Sequence, residues 1–130
     1  MLTTKEAQRI LQGAQSKAES MGVKVTISIV DPRGDLITMV RLDGSPYRTV
    51  VISRGKAVAS AFFGIPSGAL AERAQTPVVQ SLIQIEGGHL TPHQGALPII
   101  RDGQVIGAIG TSGALSNEDE DIGQAGIDLL

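Results

Sequence analysis

His89 and His93 stand four residues apart in GGHLTPHQG (Gly87–Gly95) and are the only histidines in the 130-residue chain. An imidazole can move a proton near neutral pH, bind a metal or ligate a haem iron. On a helix this spacing would place both rings on one face, but Pro92 and the flanking glycines predict a loop with a short strand. No third ligand stands at a metal-binding spacing, and with no cysteine a thiolate site is excluded. The metal chemistry open to His89 and His93 is ligation of a haem iron. Their other reading is as ordinary loop residues. His89, nearest the expected strand, is the stronger candidate.

Further polar residues are candidates to frame a ligand. Arg41 and Asp43 flank Leu42 at the end of an expected strand, where they form a salt bridge or border a pocket. Arg54 falls within an apolar helical stripe, four residues after Val50, and a buried guanidinium needs a partner. Lys56 poses a milder version of the same problem. Thr111-Ser112-Gly113 ends a strand, where small hydroxyls and free amides can line an anion pocket. The candidate ligand-binding set is therefore Arg41, Asp43, Arg54, His89, Thr111, Ser112 and Gly113. Gly107-x-x-Gly110-x-x-Gly113 is not a nucleotide loop, because its glycines lie along a strand and not at a strand-to-helix turn. Glu118-Asp119-Glu120-Asp121 reads as a favourable charge at a helix N-terminus or as a weak cation surface. No Ser/His/Asp triad stands at a diagnostic spacing.

These residues need elements to hold them. Thr3-x-x-Glu6 is a capping box that opens a helix over Thr4–Ser20, with Gly22 as its stop. Val23 to Ile29 alternates as a half-buried strand, and Leu36 to Arg41 makes a second, antiparallel to it. Tyr47 to Phe62 predicts a helix with two apolar stripes. Tyr47, Val50, Val51, Ala57, Val58 and Ala61 form one, and Ile52, Ala59 and Phe63 the other, so a helix or a partner subunit should cover each. Ser67 to Arg73 is a short helix, and Thr76-Pro77 opens another over Val78–Gln84. Leu97–Gly113 is a hairpin turning at Asp102-Gly103, and its glycines mark a place where a helix or ligand approaches the backbone. Ser116-x-x-Asp119 caps a last helix, with Ile122, Ala125 and Leu129 on its buried side.

Hairpins without strand–helix–strand alternation argue for one α+β domain, residues 1–130, with an antiparallel sheet. The formal charge of -2 gives no electrostatic case for nucleic acid, and three aromatic side chains, Tyr47, Phe62 and Phe63, make no stacking platform. No stretch approaches the roughly 20 apolar residues of a membrane span, and the first residues lack a signal-peptide pattern. A cytoplasmic protein is expected.

Three stretches carry a family resemblance. VDPRGDLITMVRLDGSP (Val30–Pro46) resembles the VDxxGxLxxxxRMDGA stretch of the GlcG/HbpS-like haem-binding family. SRGKAVASAFFGIPS (Ser53–Ser67) resembles its KAxTAxxFGxPT helix, and QGALPIIRDGQVIGAIGTSG (Gln94–Gly113) its GGxPIxxxGxxxGAIGVSG core. The likeness spans nearly the whole chain. The same module is similar to the C-terminal domain of PduO-type corrinoid adenosyltransferases. The resemblance implies profilin-like α-β-α layers around a five-stranded antiparallel sheet, homo-oligomers, genes among catabolic neighbours and, in some members, bound haem. It places an iron-ligating histidine near the first helix. Thr4–Ser20 contains none, so His89 or His93, or else a hydroxyl or water, would have to substitute.

Three functional readings follow. The first is a small-ligand-binding oligomer, with haem as a possible ligand, His89 on its iron and Arg41 or Arg54 on its propionates. The second is a small catabolic enzyme acting on a carboxylated metabolite, with an arginine on the carboxylate and His89 or Asp43 as acid or base. The third is an accessory oligomerisation module.

Overall fold

The computed structural model describes all 130 residues and shows an α+β fold. Helix α1 (Thr4–Met21) precedes strands β1 (Thr26–Val30) and β2 (Leu36–Arg41). Helix α2 (Arg48–Phe63), a 3-10 turn (Ser67–Arg73) and α3 (Pro77–Ile85) follow, then β3 (Ala96–Arg101), β4 (Gln104–Ser112) and α4 (Ser116–Ile127). The sheet has four strands in the order β2-β1-β4-β3, every pair antiparallel. The expected fifth strand is absent, because the Gly87–Gly95 stretch is a loop with positive φ at Gly87, Gly88 and Gly95.

Local chemistry explains the boundaries. The Thr3 hydroxyl accepts from the Glu6 amide and the Glu6 carboxylate accepts from the Thr3 amide, closing both halves of the capping box. Gly22 ends α1 in the left-handed conformation. Asp102 and Gly103 both have positive φ, as a type I′ turn requires. Pro98 sits on edge strand β3, where its missing N–H costs least. A bulge opposite Ile99/Ile100 shifts the register of β4 and leaves Ile106 without a cross-strand partner. Strict two-residue alternation breaks there. Val105 meets the α2 side at Gly64, whereas Ile106 joins the core beneath α1.

Helices cover both faces of the sheet. Ile10 and Ala14 of α1 and Ile122 of α4 pack on Ile27, Ile29, Ile99 and Ile109 to form the main core. The expected exposed face of β1 is instead wholly buried under α2. Its hydroxyls meet the helix in pairs: Thr26 with Thr49 at 2.8 Å and Ser28 with Ser53 at 2.8 Å. Helix α2 therefore faces the sheet with small residues, and the expected stripe is wrong at its first positions. Tyr47 is 82% exposed and Val51 is also exposed.

That small-residue face lets the helix come very close. A Cβ on Gly110 would collide with the Ser53 carbonyl oxygen and lie 2.8 Å from the Ala57 amide. Gly107 is as tightly held on the other face, where a Cβ would lie 2.6 Å from the Val30 carbonyl oxygen. The glycines of β4 thus admit backbone and not a ligand. Leu129, expected in the core, is exposed.

Candidate functional site

At the C-terminal end of β4, a recess of about 250 Å³ opens between the first half of α2 and the first turn of α4. Arg48, Thr49, Ile52 and Lys56 come from α2, Ser112 to Ala114 from the strand end, Ser116 and Asp119 from α4, and His93 from the preceding loop. Of the ten lining residues only Ile52 and Ala114 are hydrophobic.

Lys56 and Asp119 dominate its chemistry. They form an ion pair at 3.2 Å with side chains only 4% and 2% exposed. Lys56 Nζ also donates to the Thr111 carbonyl at 3.0 Å. Room for the ammonium depends on Gly95, whose φ is +140° and where a Cβ would fall 2.6 Å from Nζ. Asp119 accepts the Ala114 amide at 3.0 Å through its second oxygen. Burial pushes the Asp119 carboxyl up, and the Lys56 charge and the Ala114 amide pull it partly back. A buried pair of this kind owes its net value to such added hydrogen bonds.

Ser116 was expected to cap α4. Instead the Glu118 carboxylate takes the Leu115 amide and Asp119 takes that of Ala114, so Ser116 is free for His93. His93 Nε2 and Ser116 Oγ lie 3.2 Å apart. The first amides of α4 have no intrahelical acceptor and face the N-terminal, positive end of the helix dipole.

The sequence-derived candidates are divided among several places. Ser112 and Gly113 line the recess, together with His93. Thr111 supports it through its carbonyl, while its hydroxyl is buried without a hydrogen-bond partner. Arg41 and Asp43 border a different hollow of about 430 Å³, against the end of α1 at Gln15 and Glu19. Arg41 donates to the Ser45 carbonyl and stacks on Tyr47, with no ion pair to Asp43. Arg54 is half-buried with an unpartnered Nε, and His89 is exposed; neither lines a recess. No group of three metal-ligating side chains gathers anywhere.

Sequence reasoning missed Arg48, Thr49 and Asp119 as site residues and passed lightly over Lys56. A signal existed for Asp119. It precedes Ile122 by three and Gly126 by seven, on the buried stripe of α4.

Comparison with known proteins bears on the family and the fold. Over 118 residues, 86% of this chain and 81% of the relative, the sequence is 26% identical to protein GlcG of Escherichia coli K12. A crystal structure of a double mutant of Streptomyces reticuli HbpS matches with a TM-score of 0.86 at 26% identity, covering 99% of this chain and 86% of that one. The crystal structure of a PduOC–haem complex matches with a TM-score of 0.87 at 24% identity over 99% and 94%, a likeness of fold. No helix is long and apolar enough to cross a membrane. The model of the family described as haem degrading protein HbpS-like matches residues 2–128, and the chain belongs to that family.

Proposed function

We propose that this protein binds a small carboxylated ligand in the recess between α2 and α4. The observation that carries the reading is Lys56. An ammonium has three protons to donate, and the Thr111 carbonyl and Asp119 take two, which leaves one for a ligand in the recess that Lys56 lines. Arg48, the Ser112 and Ser116 hydroxyls and the α4 amides add donors for the same anion.

Haem is the ligand named for one relative, PduOC. The recess, at about 250 Å³, is below the roughly 300–1,000 Å³ of sites that enclose a drug-sized molecule, and its walls are polar. A porphyrin ring does not fit inside it, although a propionate does. In this reading haem would meet the site by its edge, and His93, at the recess, replaces His89 as the candidate iron ligand. Self-association belongs to the same proposal. Tyr47, Val51 and Leu115 are exposed apolar neighbours in sequence of Arg48, Ile52, Ala114 and Ser116, and a second copy is the proposed cover.

Calorimetric titration with propionate and succinate, beside hemin titration followed at the Soret band, tests the proposal. Carboxylate binding should weaken about tenfold or more in Arg48→Ala, the loss of one charge-assisted hydrogen bond. A Soret change that persists in His89→Ala/His93→Ala removes both histidines as ligands. No heat from either carboxylate and no Soret change overturn the proposal.

A further inference from the structure

We infer that the Lys56 amine condenses with the carbonyl group of a small oxo acid, an aldehyde or ketone that also carries a carboxylate, to form an imine in the recess. The inference rests on the reading of the recess as a carboxylate site. It goes further, because it gives the buried lysine a covalent role and narrows the ligand to carbonyl acids.

The geometry supplies what the step needs. Lys56 is the only one of the four lysines that is buried; Lys5, Lys17 and Lys24 are exposed. Lys56 is one of the residues lining the recess, which sets an otherwise enclosed amine beside space for a small molecule. The nucleophile must be neutral, and the Asp119 carboxylate at 3.2 Å is placed to take the proton. The transfer replaces two enclosed charges by two neutral groups. The Thr111 carbonyl, at 3.0 Å, fixes the direction of the amine. Arg48 and the α4 amides would hold the carboxylate end of the ligand, and the recess volume suits a molecule of a few carbons.

The step balances without an oxidant or reductant. An ammonium proton passes to Asp119, and the nitrogen lone pair attacks the carbonyl carbon. The C–N bond forms as the carbonyl π electrons move to oxygen, which takes the proton from Asp119. A second proton leaves nitrogen through Asp119 and joins the hydroxyl. Water departs with the C–O bond pair as the C=N bond forms. One of the three ammonium protons stays on the iminium nitrogen, two leave in water, and Asp119 ends as a carboxylate.

The test incubates the intact protein with pyruvate and cyanoborohydride and maps the reduced adduct by peptide mass spectrometry. Lys56 should be labelled ahead of Lys5, Lys17 and Lys24. Asp119→Asn should slow labelling about a hundredfold, the lower range for losing a general acid–base group. Lys56→Arg should abolish the adduct at position 56 while retaining a positive charge. The unmodified chain carries its own controls in the exposed lysines, so the result does not depend on any variant folding. Labelling at equal rates over all four lysines, or none at Lys56, overturns the inference. Propionate calorimetry separates the two proposals. Propionate binding without a Lys56 adduct sinks the imine and keeps the carboxylate site, whereas an adduct without propionate binding does the reverse.

Discussion

Replacing Lys56 by methionine removes one half of an ion pair whose other half stays enclosed. Asp119 would keep only the Ala114 amide as a hydrogen-bond partner, with a side chain 2% exposed. Breaking a buried pair from one side costs about 3–5 kcal/mol, mostly as the penalty of stranding the remaining charge. For a chain of this size each kcal/mol moves the melting temperature by about 3–5 °C, so the fall should be roughly 10–25 °C. Asp119→Leu alone strands the ammonium in the same way. The double variant Lys56→Met/Asp119→Leu strands neither. It loses the Ala114 amide's acceptor and the Thr111 carbonyl's donor, together worth about 2 kcal/mol, and should otherwise lie near the wild type. Urea denaturation of all four proteins gives the coupling energy directly. Single variants that cost under about 1 kcal/mol, or a double variant whose cost equals the sum of the singles, would refute the account of a dry, mutually dependent pair.

Gly110→Ala should cost about 3 kcal/mol, the upper range for overpacking, because the new methyl group meets backbone atoms of α2 at Ser53 and Ala57. Gly123→Ala, whose Cβ would sit 3.3 Å from an Ile109 methyl and meets no backbone of another element, should cost far less, and equal losses by chemical denaturation would contradict the close-approach argument. The Arg101 guanidinium, with help from the Thr3 amide, holds the Glu6 carboxyl down at about 2 against 4.5. A depressed carboxylate contributes stability above its ordinary value and loses it as pH falls toward the folded one. Wild type and Glu6→Gln should therefore differ in melting temperature above about pH 4.5 and converge as pH falls toward 2. A gap that stays constant across that window would exclude Glu6 as its source.

Much of the fold was legible because local chemistry determines it. The Thr3/Glu6 box, Gly22 and Asp102-Gly103 each do in the structure what their residue types require. The α2 face was misread for a physical reason. Hydropathy favours Tyr47 and Val51 as core, yet this helix packs by shape, and Thr49, Ser53 and Ala57 win because only small groups allow the approach to Gly110. Thr26 and Ser28 looked like a wet strand face for the same reason, since a sequence does not show that Thr49 and Ser53 will satisfy their hydroxyls.

The site was harder to see. Ser112, Gly113 and His93 were flagged, but Lys56 and Asp119 are 63 residues apart and nothing local links a lysine among alanines to one acid in a run of four. Arg54 drew attention because a buried cation demands a partner. That argument was sound in kind and applied to Lys56 instead.

The paired hydroxyls and bare glycine beneath α2 bear on how a guest could arrive. A helix seated backbone to backbone, with its Thr49 and Ser53 hydroxyls bonded to strand hydroxyls opposite, has one resting position and no slack for sliding. The wall it provides is an anvil. Any opening of the cleft then falls to the loop side, where the His93 ring meets Ser116 through a single solvent-facing contact while Lys56 keeps Asp119 tied to α2.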